Sequence, residues 1–257
     1  MQLKVQKLLG CSLIFFSILG VTKNLYAQPA GGPIHTESNN EFTISLDGGF
    51  FTKKIFGIKN ESRRFFLKGS FGLNRNLDFY GIFGLTNLRL TLADSARTVL
   101  DDGFKVAYGG GLSLQILNFE RLQMSLFFNG QMIRFISKPA SESTVGFGSQ
   151  VLELNYDWRE TNLTFGVTKR IGAANFYGGI NTKIIRRFET KIVKLIFSGQ
   201  NTTVTREKGM YTSGLLMSPL FGLDLNLPSR LKFSLELSAN DESDFAVYFG
   251  VSQTGKP

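Results

Sequence analysis

The feature that most constrains this chain is an alternation of apolar with small or polar side chains that continues over long runs. Within residues 104–116 every even-numbered position is apolar or glycine, and every odd-numbered position is lysine, alanine, glycine, serine or glutamine. The same period recurs in residues 122–132, 231–237 and 245–252. Because successive side chains of a β-strand point to opposite faces, the sequence predicts an all-β chain whose strands have one apolar face.

The length of these runs indicates a membrane. They are about 10–14 residues long, whereas strands of soluble proteins usually have about five or six, and they match tilted strands that cross a bilayer. From Phe42 onward there is no convincing helical period and no apolar run of 18 or more residues. The abundant phenylalanine (25 residues) and glycine (28 residues) suit a sheet with lipid outside and polar filling inside. We therefore expect a closed antiparallel transmembrane β-barrel.

Short and long connections alternate along the chain, as in outer-membrane barrels with short periplasmic turns. The short ones lie at residues 74–76, 118–120, 172–174 and 228–229. The long, polar ones lie near residues 52–63, 93–103, 137–149 and 189–207. Two strands per short turn, together with a first strand at 42–51 and a last at 244–252, make ten strands. Other divisions of the chain give a range of eight to twelve, and splitting 149–171 or 183–210 gives twelve.

Three irregularities are expected within these strands. The apolar phase of residues 77–92 changes near Thr86 and Asn87, which predicts a β-bulge. A phase change near Glu160 is expected in the long strand 149–171. Pro219 lies inside an apolar strand, and because a closed barrel has no free edge to accommodate a proline, we expect a local bulge there.

The N-terminus has the order of regions found in secretory signal peptides. Lys4 and Lys7 precede an apolar stretch at residues 8–22, and cleavage is expected after Ala27. The predicted organisation is a signal peptide at 1–27, a flexible linker at 28–40, the barrel at 41–252 and a C-terminal tail at 253–257. Removing the signal peptide lowers the net charge from +9 to +6, and export argues against a nucleic-acid partner. These features predict a location in the bacterial outer membrane.

Few residues of this chain bear catalytic or metal-binding chemistry. It contains one cysteine and one histidine, so an internal disulfide is excluded and a Cys/His zinc site nearly so. A serine or cysteine nucleophile with a histidine base would have to use His35, which lies in the linker. We therefore predict no catalytic residue, no metal site and no cofactor, and expect that the chain is not an enzyme.

Charged side chains within the strands are expected to line the lumen, because a charge on the lipid face costs about 2–4 kcal/mol at mid-bilayer. The alternation assigns to this group Asp47, Lys68, Asp78, Lys105, Glu153, Asp157, Asp224, Lys232 and Glu236. Four large rings, those of Phe66, Tyr80, Phe127 and Tyr248, are expected to point inward as well. Since both signs of charge occur and a barrel of this size has little free interior, an ion-paired plug is favoured over a charged pore constriction.

Two predicted external loops, residues 52–64 and 186–208, each carry a net charge of +4. Cations at the outer leaflet can pair with lipid phosphates or other surface anions, and a solvated loop surface is an equally good explanation. The candidates for such contacts are Lys53, Lys54, Arg63, Arg64, Arg186, Arg187, Lys191 and Lys194. Outer-membrane lipid and lipopolysaccharide are the partners that this interpretation implies, and an extracellular ligand is a further option.

The chain resembles the superfamily of small bacterial outer-membrane β-barrels, the OmpA-like and opacity-protein-like group. Three segments carry the resemblance: FFLKGSFGLNRNLDFYGIFGL at 65–85, LTFGVTKRIGAANFYGGI at 163–180, and FAVYFGV at 245–251. It implies insertion by the barrel assembly machinery. Such barrels usually end on an aromatic residue, whereas here Phe249 is followed by eight further residues.

The sequence thus predicts an integral outer-membrane barrel with a largely plugged lumen and a structural or surface-interaction role through its long basic loops. A narrow, porin-like diffusion channel is the first alternative. An outer-membrane enzyme and a soluble periplasmic barrel that binds an apolar ligand are the others.

Overall fold

A computed structural model describes residues 41–55, 58–91, 99–145, 148–197, 203–241 and 244–255. The predicted signal peptide (1–27) and linker (28–40), with Cys11 and His35, lie outside the described residues, as do residues 256 and 257.

Strands make up nearly all of the described chain. They are β1 (Phe42–Ile55), β2 (Ile58–Asn74), β3 (Leu77–Thr91), β4 (Val99–Phe119), β5 (Met124–Ser137), β6 (Ala140–Val145), β7 (Gly148–Ile171), β8 (Ala174–Phe197), β9 (Thr203–Thr212), β10 (Leu216–Asn226), β11 (Leu231–Asp241) and β12 (Asp244–Gly255). Two short 3-10 turns, Glu120–Leu122 and Pro228–Arg230, link β4 to β5 and β10 to β11. No helix in this part of the chain is long and apolar enough to cross a membrane.

Ten of these strands form a closed ring. Its order is β1-β2-β3-β4-β5-β7-β8-β10-β11-β12, every neighbouring pair is antiparallel, and β12 pairs with β1 from Phe42↔Gly255 to Thr52↔Phe245. This confirms the predicted fold class, a closed antiparallel β-barrel. The ring closes because each strand satisfies its backbone hydrogen-bonding groups on both sides, which leaves no sheet edge around its circumference.

Strands β6 and β9 lie outside the ring and extend it at one end. β6 follows β5 along the edge of β7 after a break at Lys138 and Pro139, and pairs with residues 148–153. β9 pairs with residues 186–195 of β8, and β10 continues the pairing of β8 from Leu216 onward. We call the end of the barrel that holds the short turns the lower end. The upper parts of β7 and β8, flanked by β6 and β9, then form a four-stranded sheet beyond the closed ring, here called the extended sheet.

The four short connections lie where the sequence predicts them, at the same end of the barrel as Phe42 and Gly255. The long connections differ from prediction. Residues 52–55 and 58–63 form the ends of a β-hairpin, and residues 189–197 and 203–207 belong to β8 and β9. The predicted loops are therefore largely strands, because the barrel wall continues well past its apolar part. β12 also runs to Gly255, so residues 253–255, predicted as tail, pair with β1.

The outer surface of the ring is a continuous apolar band, made of exposed aliphatic and aromatic side chains. Every ring strand contributes at least one of them: Leu46, Leu67, Phe83, Val106, Met132, Phe165, Ile180, Phe221, Leu237 and Phe249. Leu46 and Phe221 are 67% and 65% exposed. Because such side chains occur on every ring strand, they form a contiguous apolar patch larger than soluble proteins usually expose. Toward the end of the barrel opposite the short turns, here called the hairpin end, the outward positions of the same wall change to charged side chains such as Arg63, Arg89 and Arg159.

Above the apolar band the polarity of the wall inverts, and this accounts for the predicted irregularities. In β3 the alternation continues without a break, and Leu88 and Leu90 are fully buried inside the barrel. The bulge predicted near Thr86 and Asn87 is present as a register shift between Asn87 and Arg89 in the β3–β4 ladder. The additional residue lies in β4, next to Gly103 with its positive φ of 66°. The predicted change of the apolar phase near Glu160 is present, from the buried Trp158 to the exposed Leu163. No bulge accompanies it, since β7 pairs regularly with β8 from Gly148 to Ile171.

The bulge predicted at Pro219 is also absent. Pro219 lies opposite Ile180 in a regular β8–β10 ladder, and the β10–β11 pairing begins only at Leu220. The missing backbone N–H therefore lies at the end of the β10–β11 ladder, where a proline is tolerated.

Candidate functional site

The end of the lumen near the short turns is polar and carries charges of both signs. Lys68 approaches Asp47 with 3.7 Å between Nζ and Oδ2, and Lys232 approaches Asp224 at 3.6 Å. All four side chains line a small cavity, together with Tyr177, Tyr248 and serine and threonine hydroxyls. The cavity can hold water, but its cations and carboxylates already form pairs within the wall.

Aromatic rings fill the middle of the lumen. The Tyr80 hydroxyl donates to Asn129 at 2.6 Å, and the Tyr177 hydroxyl donates to Glu236 at 3.2 Å. Phe127 meets Tyr177 edge-on, with 6.2 Å between ring centroids. Tyr177 lies directly against Gly222 of β10, where an added Cβ would sit 2.0 Å from its Cζ. Glycine at this inward position lets a large ring lie flat against the wall and close the interior.

A fully buried ionic cluster lies above these rings. Glu160 accepts two hydrogen bonds from Arg64, at 3.3 and 3.0 Å, and lies 3.7 Å from the Lys183 amine. The amide of Asn162 donates to the same carboxylate at 2.9 Å. Arg64 and Glu160 are 0% and 1% exposed, so their charges are compensated by one another and not by bulk water.

Apolar side chains pack around and above this cluster. The Arg64 guanidinium lies 4.7 Å from the centre of the Phe51 ring, and Phe135 stacks on Trp158 with 5.8 Å between centroids. The same hydrophobic core includes Ile55, Ile82, Leu88, Leu90, Leu100, Ile133, Leu154, Tyr156 and Ile185. Polar, aromatic, ionic and apolar layers thus fill the lumen in succession.

The structure divides the predicted lumen charges into two groups. Asp47, Lys68, Asp78, Asp224 and Glu236 are buried inside the barrel, and Lys232 is mostly buried there. Lys105 points inward near the hairpin end and pairs with Asp102 at 3.1 Å. Phe66, Tyr80, Phe127 and Tyr248 are all buried inside.

Glu153 and Asp157 do not face the lumen, so their assignment was wrong. The buried residues of this part of β7 alternate with them: Leu154 and Tyr156 lie between Glu153 and Asp157, and Trp158 follows Asp157. Outside the apolar band the outer face carries charged side chains, and apolar side chains turn inward, as in the wall of a barrel that meets water. Glu153 pairs with Lys194 on the outer face, and Asp157 pairs there with two arginines.

Four of the eight residues predicted to contact anions lie on the inward face instead. Lys53, Arg64 and Arg187 are buried side chains of β1, β2 and β8, because the segments predicted as loops are strands with an inward face. Arg187 pairs with Glu189 at 2.9 Å and lies over Tyr156. Lys191 shares the inward register of Arg187, at the margin of the extended sheet, and pairs with Glu207. Lys54, Arg63, Arg186 and Lys194 alone remain on the outer face.

Sequence reasoning missed Glu160 and Lys183 in the lumen, and Arg134 and Arg159 on the outer wall. An unbroken alternation through residues 154–168 would have placed Glu160 with Trp158 and Asn162 on the inward face. Arg134 follows Met132 in the outward register of β5, at the upper margin of the apolar band.

Arg134 and Arg159 form a compact cluster with Asp157 on the outer wall. Arg134 donates to the Asp157 carboxylate through two nitrogens, at 2.8 and 2.9 Å, and to the Tyr108 hydroxyl at 3.3 Å. Arg159 donates to Asp157 at 2.8 Å and lies over the Phe188 ring. Partial burial alone would raise the pKa of Asp157, but the hydrogen bonds from the two arginines keep it below its usual value.

The described residues contain no cluster of three or more His, Cys, Asp or Glu side chains able to hold a metal ion. The prediction of a chain without metal or cofactor stays a prediction.

No family model matches the chain, and no curated protein is similar to it. Among solved structures, the outer membrane protease OmpT from Escherichia coli aligns over 88% of this chain and 97% of its own, with 10% identity and a TM-score of 0.47. The translocator domain of the autotransporter NalP from Neisseria meningitidis aligns over 87% and 90%, with 10% identity and a TM-score of 0.46. The transport unit of the autotransporter AIDA-I from Escherichia coli aligns over 88% and 93%, with 10% identity and a TM-score of 0.41.

These comparisons change two predictions. The neighbours include autotransporter barrels and a protease barrel, and they do not single out the OmpA-like group. The prediction that the chain is not an enzyme is contradicted, since one of the neighbours is an outer membrane protease.

Proposed function

We propose that the protein is an integral barrel of the bacterial outer membrane, exported by a cleaved signal peptide, with a closed lumen. In this proposal the ring anchors the molecule in the lipid, and the extended sheet carries a structural or surface-interaction role outside. The short turns and both chain termini would face the periplasm, as in other barrels of this kind.

The observation that carries the proposal is the combination of an apolar exterior with a filled interior. All ten ring strands expose large apolar side chains, which need lipid to cover them. The interior holds buried ion pairs and packed rings at successive heights. A conducting pore requires a continuous hydrated path, and the layer of Phe51, Arg64, Phe135, Trp158 and Glu160 fills the place where that path would run.

The extended sheet is the part best placed to meet a partner. β6 and β9 each pair on one side only within the described residues, so their outer edges present backbone groups to solvent. Val204, Met210 and Tyr211 of β9 are 55%, 65% and 42% exposed. An edge strand with exposed apolar side chains suits addition of a strand from another chain.

Three measurements test the proposal. Membrane fractions washed with alkaline carbonate should retain the protein, and the folded form should migrate faster than the heated form on SDS gels. Purified protein in planar bilayers should give no stable ion steps. Discrete, reproducible steps would instead support the narrow channel, and a freely soluble protein would contradict membrane anchoring.

A further inference from the structure

Three arginines form a row on the outer wall of the barrel, at the upper margin of the apolar band. Arg134 of β5 lies opposite Arg159 of β7, and Arg159 lies opposite Arg186 of β8. Residues directly opposite in an antiparallel pair have Cβ atoms about 5 Å apart. The row, defined here as Arg134, Arg159 and Arg186, therefore presents three guanidinium groups side by side on adjoining strands.

Acidic side chains around the row compensate only part of its positive charge. Asp157 neutralises part of it through hydrogen bonds from Arg134 and Arg159, whereas within the described part of the chain Arg186 forms no ion pair. Like charges placed directly opposite on neighbouring strands destabilise a sheet. An anion bound across the row would offset that repulsion, so the arrangement favours a negatively charged ligand.

The position of the row relative to the apolar band identifies the kind of anion. Along β5 the outward residue below Arg134 is Met132, which is 62% exposed, and the one above it is Ile136, which is 48% exposed. Along β7 and β8 the outward residues next below Arg159 and Arg186 are Thr161 and Ile184, both partly exposed. Further down the same faces lie Leu163 and Ile180, which are 40% and 50% exposed. A ligand held by the arginines therefore has an apolar wall directly beside it, on the side where acyl chains lie.

We propose that this row binds the phosphate group of a membrane lipid in the outer leaflet, with the acyl chains against the adjoining apolar wall. The inference rests on the proposed membrane location. Guanidinium groups are planar forks that bind phosphate oxygens in pairs, and they are more weakly hydrated than ammonium groups. The Tyr108 hydroxyl, 3.3 Å from Arg134, adds a donor at the margin of the site.

The test compares lipids that differ in their headgroup. Protein purified in a neutral detergent would be titrated with dioleoyl phosphatidic acid or dioleoyl phosphatidylcholine, and binding would be followed by native mass spectrometry. We expect phosphatidic acid to bind at least about tenfold more tightly, because it presents a phosphomonoester free to accept paired hydrogen bonds. Inorganic phosphate should compete only weakly, since it lacks the acyl chains.

Two matched variants locate the site. Arg186→Gln removes a guanidinium that pairs with no carboxylate in the described chain, and it should weaken phosphatidic acid binding by about tenfold. Arg206→Gln removes an equally exposed arginine from β9, further from the apolar band, and should leave binding unchanged. Equal losses in both variants would overturn the proposal and indicate general attraction between charges.

Other results would also overturn it. Equal affinity for the two lipids would contradict phosphate recognition, and inorganic phosphate binding as tightly as phosphatidic acid would indicate a soluble anion. A protein that carbonate extracts from membranes would contradict the proposed function itself. A carbonate-resistant protein without headgroup preference would contradict the lipid site alone.

Discussion

At the scale of single residues, height along the barrel decides what a charge does. Glu160 and Glu153 belong to the same strand, seven residues apart. Glu160 is buried between Arg64 and Lys183, whereas Glu153 pairs with Lys194 at the exposed outer face. The two carboxylates therefore differ in solvation and in what their removal leaves behind.

Replacing Glu160 with glutamine should lower the free energy of unfolding by about 3–5 kcal/mol, because two buried cations lose their counter-charge. Glu153→Gln is the matched control and should change stability by less than about 1 kcal/mol, as for exposed ion pairs. Urea unfolding of the refolded barrel in vesicles, followed by circular dichroism, gives both values. Equal effects of the two substitutions would contradict the buried cluster.

Asp157 should make the outer wall sensitive to acid. Its pKa is lowered in the folded protein because Arg134 and Arg159 hold the ionised form. The stabilisation is therefore complete above the unfolded pKa of about 3.9 and is lost as the pH falls through the folded pKa. Asp157→Asn should be less stable than the natural chain at pH 7, and the difference should shrink as the pH falls below about 3.9, in a pH series of thermal midpoints. A difference that stays constant through this fall in pH would contradict this origin.

At the scale of elements, the strands serve two environments in succession. The lower part of β7 pairs with β5 and β8 inside the closed ring, whereas its upper part pairs with β6 in the extended sheet. Its outward residues change from Leu163, Phe165 and Val167 to Asp157 and Glu153 along the same face. One strand thus belongs both to the closed ring and to the extended sheet.

Shortening the extended sheet should leave the anchor intact. Thr190 lies opposite Lys208, so residues 191–207 can be replaced by Asn-Gly, a dipeptide that closes a two-residue hairpin. The variant should still show the heat-dependent shift in SDS-gel mobility, because the closed ring and its buried cluster lie below the deletion. Loss of that shift would show that the extended sheet is needed for the ring to fold.

At the scale of the whole molecule, a charge introduced into the apolar band can distinguish a lipid environment from water. In water, replacing an outward apolar residue with a charged one removes exposed apolar surface, whereas in lipid the same charge destabilises the barrel. The same substitution therefore has opposite consequences in water and in a bilayer.

Phe83→Arg places a cation in the apolar band and should destabilise the barrel in vesicles by about 2–4 kcal/mol. Thr91→Arg, on the same face of β3 but beyond the band, should cost about 0–1 kcal/mol. Unfolding in vesicles measures both variants. A Phe83→Arg variant as stable as the natural chain would argue against a lipid environment.

The sequence by itself determined the element type, the four short turns and the ten-strand ring, because a period of two and the turn residues are local properties. It placed Asp47, Lys68 and Asp224 on the inward face for the same reason. Within the apolar band the outward side chains are apolar and the inward ones are polar or aromatic, so the polarity that the pattern predicts coincides with the orientation there.

Only the tertiary structure decided which face is inward above the band. There the wall meets water, and Leu88, Leu90 and Trp158 turn inward while Asp157 turns outward. The same alternation occurs within the band and above it. It shows that the two faces of a strand differ, but it does not show which face is enclosed. The burial of Arg64 against Glu160, and the alignment of Arg134, Arg159 and Arg186, depend on strand register across the closed ring, which residues far apart in the chain set together.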